Sequence, residues 1–337
     1  MNNLKKFALG TAMLAAFLSC GLLAQTQGQG QAPTETTPPA AEPYQHIPLP
    51  AQLPKGVSVK DAQHLQALID DYSPQEPLMT TKVQDNIYTV RGGPGRNVPN
   101  SGFIVGKTSV IIVGNKNSKE AEEALLAEIA KVTPKPVKTV ILLHSQHESG
   151  VAFLPTDVTI IAHENAKKEM EISTARDKVP MDRFPTKTVG SDETMDIDGV
   201  KVRLFHWGPG YTGGDLIVFF PAQKVVFAGD LIVSDFPLAG TFVDRPGNGT
   251  STGWLANIHG MMTLNFDACV PGHGPVFGKN DVRTKLAFIQ DKWDRIKAMV
   301  AEGKSLADVK AAFAGAPEKN PSITEVMYAE LTAKSGE

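Results

Sequence analysis

The stretch Val137-Lys138-Thr139-Val140-Ile141-Leu142-Leu143 runs straight into His144-Ser145-Gln146-His147-Glu148-Ser149-Gly150. A continuous apolar, β-branched run of this length reads as a buried strand. Pro134 and Pro136 fence it off from what precedes. The residues at its far end are of types that bind metals or move protons. A rigid strand ending in such a cluster is how a sheet positions a functional site.

Three other strands end in a comparable way. Val200–Phe205 leads to Gly208-Pro209-Gly210-Tyr211 and Leu216–Phe220 follows; Lys224–Ala228 ends at Gly229-Asp230; Ala268–Val270 ends at Pro271-Gly272-His273-Gly274-Pro275. Upstream, Val83, Ile87, Tyr88 and Val90 suggest a hairpin, and two β-rich runs, Gly102–Val105 and Ser109–Val113, meet at Gly106-Lys107. Helical spacing marks residues 60–72, 118–132 with Ser118 as N-cap, a segment from about His163, and then 254–264, 280–302, 305–314 and 322–333. Residues 186–199 read as loop and a short edge strand. The order is two rounds of strands followed by helices, which predicts an α/β protein with two sheets packed together and helices outside.

At this point the chain resembles the metallo-β-lactamase-fold hydrolases. The resemblance is carried by Asn100-Ser101-Gly102-Phe103-Ile104-Val105, Leu142-Leu143-His144-Ser145, Gly208-Pro209-Gly210-Tyr211-Thr212-Gly213-Gly214-Asp215-Leu216, Val226-Phe227-Ala228-Gly229-Asp230 and Val270-Pro271-Gly272-His273-Gly274, in family order. It implies a four-layer αββα sandwich, two mixed β-sheets face to face with helices outside. It also implies a hydrolytic site built on two metal ions, with a His-x-His-x-Asp-His motif, a later His after a glycine turn, a bridging Asp and a last His. His144, Asp230 and His273 match that pattern. Gln146 stands for the second His, Glu148 for the Asp, Ser149 for the third His and Tyr211 for the later His, while Gly114 stands where the family has an Asp ending a strand.

These departures change the ligand chemistry. Zinc takes imidazole, thiolate or carboxylate, and a catalytic zinc keeps three such protein ligands plus water. The first site would retain His144, the weak amide oxygen of Gln146 and Asp230, with Tyr211 ligating only as a phenolate whose reference pKa is about 10. The second would retain Glu148, Asp230 and His273, a recognised set for one zinc or iron ion. Two expectations follow. In one, a single ion held by this remnant, with Asp230, Glu148 and Tyr211 as the catalytic groups, activates water to hydrolyse an ester, thioester or lactam. In the other, the pocket is metal-free, Tyr211, Gln146 and Ser149 form a neutral hydrogen-bond network, and a small ligand binds through Tyr211, Gln146 and His144.

Other candidates rank below these. His147 reads as polar loop and His206 as a strand-end residue; Ser145 and Ser149 lack the Gly-x-Ser-x-Gly elbow of a serine hydrolase. Cys269 reads as an inert core thiol. Gly208-Pro209-Gly210 and Gly213-Gly214 precede a strand, not a helix, and no lysine follows, so they do not form a phosphate loop.

Composition bounds the partners. Among 337 residues, Lys and Arg number 33 against 36 Asp and Glu, for a net charge of −3, and such a chain has no basic field for nucleic acid. A small-molecule substrate or ligand remains, and oligomeric state is unread. Lys5 and Lys6 precede an apolar stretch from Phe7 to Ala24, which reads as a signal peptide over 1–24 and hence an exported, periplasmic or secreted protein with no membrane span once it is cleaved. Lipidation at Cys20 is the second choice, because Phe17 sits three residues before it and apolar residues follow. Residues 25–56 read as a Pro- and Gln-rich linker and 57–337 as the folded domain.

Overall fold

A computed structural model describes residues 49–71, 76–146, 148–177, 179–233, 243–314 and 322–334, all within one compact unit, Ala41–Glu337. The signal peptide, Cys20 and most of the linker lie outside the described residues, as does His147.

Thirteen strands among the described residues form two sheets. The first orders β1 (Met79–Gln84), β2 (Ile87–Arg91), β3 (Ser101–Val105), β4 (Val110–Val113), β5 (Val137–Ile141), β6 (Thr159–His163) and β7 (Lys187–Val189) consecutively. It is antiparallel to β4 and parallel from there on. The second runs β13 (Phe277–Gly278), β12 (Ala268–His273), β11 (Val225–Val233), β10 (Ile217–Phe220), β9 (Val200–Phe205), β8 (Asp192–Ile197), with β11 and β12 parallel. Both sheets are mixed.

The period-two alternation of side chains distributes each strand between two cores. Ile111 and Val113 of β4 face the same apolar layer as Val218 and Phe220 of β10 and Val225 and Phe227 of β11. Val110 and Ile112 face the opposite way, toward Leu125 and Ile129 of α2 (Lys119–Val132) and Ala166 and Met170 of α3 (Glu164–Asp177). On the far side, Ile217, Phe219, Val226 and Ala228 meet α1 (Val59–Asp70), α4 (Ser251–Met262), α5 (Lys279–Ala301), α6 (Leu306–Ala312) and α7 (Ile323–Lys334). Three apolar layers between helix, sheet, sheet and helix make the expected αββα sandwich, and strands covered on both faces explain the unbroken apolar runs. The sheets approach so closely at Gly102 that a Cβ there would overlap the Phe227 ring.

Helix starts follow their caps: the hydroxyls of Ser58, Ser118 and Ser305 each accept a backbone N–H of the first turn. Residues 186–199 differ from expectation, since they hold two strands, β7 and β8. Both are edge strands, and β8 alternates exposed residues, Asp192, Thr194 and Asp196, with half-buried ones that include Glu193, so its apolar signal is diluted. Leu49, Leu53 and Val57 pack against the helical core, so packing begins inside the segment whose prolines suggested a linker.

Candidate functional site

The site forms where strand ends of the two sheets converge. Beyond β5, Leu143 accepts the Leu216 N–H through its carbonyl at 2.8 Å, joining the sheets just before His144. Asp230 lies in β11 and His273 ends β12, and the parallel pairing of these strands has register shifts between Phe227 and Val233 that open the ladder around Asp230. Gly229, at φ +52°, lies against Leu143 and His144, and a Cβ on Gly272 would overlap the Asp230 carboxylate. His144, Asp230 and His273 are thereby brought together: Asp230 Oδ1 is 3.9 Å from His144 Nε2 and 3.6 Å from His273 Nε2, and all three residues are buried.

Tyr211 enters from a turn held on all sides. The Asp215 carboxylate accepts N–H groups from Gly210 and Thr212 and the Thr212 hydroxyl, and burial pushes its pKa up to about 8 against these bonds. Thr250 donates its hydroxyl to Pro209 O at 2.6 Å, and Asn257 of α4 donates to Gly208 O at 2.6 Å. The first turn of α4 ends in turn on Glu330 of α7, which accepts Ser251 N–H, Ser251 Oγ and Thr252 N–H at 2.8–3.0 Å.

Tyr211 is 3% exposed and meets His144 edge-on, with ring centroids 5.2 Å apart. Its hydroxyl donates to Gln146 Oε1 at 2.9 Å, and the Gln146 amide donates to the Asp244 carboxylate. Burial first, then the carboxylates of Asp230, Asp244 and Asp215, push the phenol pKa far above its ordinary value, so Tyr211 stays neutral. His144 Nδ1 accepts the Gln146 N–H at 3.2 Å, which places the proton of the neutral ring on Nε2, the nitrogen facing Asp230.

The donors present do not fit the two-ion centre the resemblance implies. Two of the first ion's positions are occupied by a neutral amide and a neutral phenol bonded to one another. Asp230 Oδ1 stands 3.6 Å from His273 Nε2 and 3.9 Å from His144 Nε2, near the separation of about 3.3 Å between the donors of a tetrahedral zinc. Among the described residues, no three His, Cys, Asp or Glu side chains are placed to hold one ion. The backbone of Glu148 opens a 3-10 helix, Glu148–Phe153, but its side chain lies outside the described residues.

Ser149 corrects one expectation. Its hydroxyl donates to Asn117 O at 2.8 Å, so it serves the loop before α2 and is no part of the Gln146–Tyr211 pair. His206 does end a strand, but its ring stacks on His163 at 4.0 Å and its Nδ1 bonds Asp215 O at 2.8 Å. Cys269 is buried, which pushes its thiol pKa up.

Sequence reasoning missed Asp244, Glu169, His163 and the role of Asn100. Asn100 donates to Pro271 O at 3.0 Å and Gly274 O at 2.7 Å, tying the start of β3 to the His273 loop. Glu169 accepts Ser145 Oγ at 2.6 Å and Gly213 N–H at 3.1 Å. Asn100 and Asp215 stood inside quoted motifs, whereas Asp244 and Glu169 sit in stretches with no local signal.

Comparison with known proteins agrees with this architecture. A family model described as the metallo-beta-lactamase superfamily matches residues 94–273, over half of the chain. The 2,4-dinitroanisole O-demethylase subunit alpha of Nocardioides sp. (strain JS1661) is 26% identical over 59% of this chain, which spans only 58% of that subunit's length. The metallo-beta-lactamase type 2 of Bacillus sp. (strain 170) is 24% identical over 55% of this chain and 70% of its own. Among solved structures, a metallo-beta-lactamase from Pontibacter korlensis aligns with a TM-score of 0.53 and 20% identity over 64% of this chain and 100% of its own. VMB-1 aligns with a TM-score of 0.51 and 18% identity over 65% and 98%. At these identities the solved structures show the fold alone.

Proposed function

The chain belongs to the metallo-beta-lactamase superfamily, which supports a hydrolase-like function, and from that premise we propose that its pocket is a metal-free remnant of a hydrolytic centre that binds a small ligand. The observation that carries this reading is the Tyr211–Gln146–Asp244 chain of hydrogen bonds across positions the family gives to metal-ligating histidines. The phenol, the amide and the Asp244 carboxylate bond one to the next, so the two positions that the family gives to histidines are occupied by side chains that satisfy one another. Fold-level likeness says little about chemistry, and the two curated relatives bear names of different reactions.

In this reading His144, Tyr211 and Gln146 recognise the ligand. His144 presents the Nε2 proton, Tyr211 its hydroxyl, and Gln146 an amide with one face toward the phenol. Asp230, buried between two imidazoles, sets the charge of the floor. The protein is proposed to act outside the cytoplasm, on the strength of the Lys5-Lys6 and Phe7–Ala24 pattern.

Metal analysis of protein purified without chelator tests the central claim. Less than about a tenth of an equivalent of zinc or iron, unchanged in Asp230→Ala, is expected. A stoichiometric ion lost in Asp230→Ala, with turnover of ester, thioester or lactam substrates, would overturn it in favour of a single-ion hydrolase built on Glu148, Asp230 and His273. Sequencing the N-terminus of exported protein should find Gln25 first, and an uncleaved or Cys20-lipidated chain would correct the processing site.

A further inference from the structure

Three loops supply the pocket's polar chain. The one after β5 brings His144 and Gln146, the glycine turn brings Tyr211, and residues 244–249 bring Asp244. The last two loops already form one unit: Asp244 N–H donates to Tyr211 O at 2.8 Å, Gly213 N–H to Gly247 O at 2.6 Å and Thr250 N–H to Gly210 O at 2.9 Å. A side chain of α3 joins this unit to the loop of His144 and Gln146. Glu169 Oε2 accepts the Ser145 hydroxyl at 2.6 Å, and Oε1 accepts Gly213 N–H and the Asn248 side-chain amide, each at 3.1 Å. Ser145 separates His144 from Gln146, Gly213 lies two residues beyond Tyr211, and Asn248 lies in the turn opened by Asp244. One carboxylate therefore touches all three loops.

The helix gives that carboxylate a firm base. Ala166 and Met170, on either side of Glu169, are buried in the core between α3 and the first sheet, and Asn165 donates to Gly213 O at 3.0 Å. A Cβ on Gly213 would overlap Glu169 Oε1, and one on Gly214 would overlap the Ala166 backbone, so the turn lies directly on this helix. Stability alone does not call for a carboxylate here. Burial pushes the Glu169 pKa up against its three bonds, and the Asp244 charge adds to the push. Two of its donors have other recourse, the Gly213 N–H at Gly247 O and the exposed Asn248 amide in water. An apolar side chain of the same length would avoid the desolvation cost, so what the carboxylate adds is the direction of its bonds.

We propose that Glu169 is a positioning residue for the pocket, holding the loop of His144 and Gln146 in register with the turns of Tyr211 and Asp244. The proposal rests on the metal-free reading of the site, in which Tyr211, Gln146 and Asp244 bond one to the next. Glu169 touches none of these three bonds. It acts on them through Ser145, Gly213 and Asn248.

The readout is the energetic coupling between Tyr211→Phe and Gln146→Met, measured by urea unfolding of the full chain in four backgrounds: the parent, Glu169→Met, Glu169→Gln and Ser145→Ala. A merely structural Glu169 lowers the stability of every member of a cycle alike, and that loss cancels in the coupling. In Glu169→Met the coupling is expected to vanish, the two substitutions becoming additive. Glu169→Gln is expected to keep it, because the amide oxygen still accepts from Gly213 and Asn248 while the amide nitrogen donates to the Ser145 hydroxyl. Coupling that survives Glu169→Met, or that is lost equally in Glu169→Gln, would overturn the proposal. Ser145→Ala, which cuts only the tie to the loop of His144 and Gln146, decides the matter if Glu169→Met fails to fold: additivity is expected, and undiminished coupling overturns the proposal. Absence of coupling in the parent chain, or a stoichiometric zinc ion there, means that the metal-free reading has failed and the proposal with it. Coupling present in the parent and unmoved in Glu169→Met means that only the role given to Glu169 has.

Discussion

Replacing Tyr211 by Phe removes one oxygen from a ring that is 3% exposed and leaves the packing against His144 in place. What is lost is the hydroxyl that donates to Gln146 Oε1 at 2.9 Å and also bonds the Asp230 carboxylate. A buried acceptor deprived of its donor costs about 1–3 kcal/mol, and the half-buried Gln146 can recruit some water, so about 1–2 kcal/mol is the expected loss. For a domain of this class that is a fall in melting temperature of about 2–8 °C. Urea unfolding of Tyr211→Phe, Gln146→Met and the double variant gives the coupling directly, and a pair that satisfies itself should show about 1 kcal/mol. A Tyr211→Phe protein that melts within about 1 °C of the parent, with no coupling to Gln146→Met, would refute the idea that these two groups replace the lost ligands by bonding to each other.

Restoring imidazoles at both positions, Gln146→His with Tyr211→His, should create a zinc site with His144 and Asp230 and bring metal affinity to at least micromolar, read by competition with a chromogenic chelator. Gly272→Ala is expected to cost about 1–3 kcal/mol in urea unfolding, because the added methyl meets the Asp230 carboxylate. Lys116 is fully buried with its ammonium donating to Val90 O, Gly92 O and Pro99 O, so Lys116→Met should cost about 3–5 kcal/mol by the same measurement. Burial foremost, then the His206 and Lys168 charges, lowers the His163 pKa to about 4, below the unfolded value of 6.5, so the unfolded chain binds more protons between those values. Stability should therefore be fully present above about pH 6.5 and fall on acidification toward pH 4, with a shallower fall in His163→Gln.

The layers of the fold were legible because strands buried on both faces leave long apolar runs, as in 137–143 and 224–228, and proline and glycine punctuate them. Residues 186–199 were legible only in part, one edge strand where there are two, since a strand such as Asp192–Ile197 carries Asp192, Thr194 and Asp196 outward and looks like loop. Within the site, His144, Asp230 and His273 could be read because each stands in a quoted motif directly after an apolar run. The pairing of Tyr211 with Gln146 was foreseeable as two neutral groups in one vacated place. Asp244 and Glu169 were invisible: each reaches the site through tertiary packing alone, and an isolated acidic residue carries no periodic signal. Ser149 misled because a position in a motif does not fix the direction of a side chain, and here the hydroxyl turns to Asn117.

The family model ends at His273, yet the turn that presents Tyr211 is braced by α4, and the first amides of α4 close on Glu330 of α7. The unit that homology recognises and the unit that must fold to build the pocket are therefore not the same length. A fragment trimmed to the recognised span would carry nearly every residue of the site and still lack the strut that holds one of them in place.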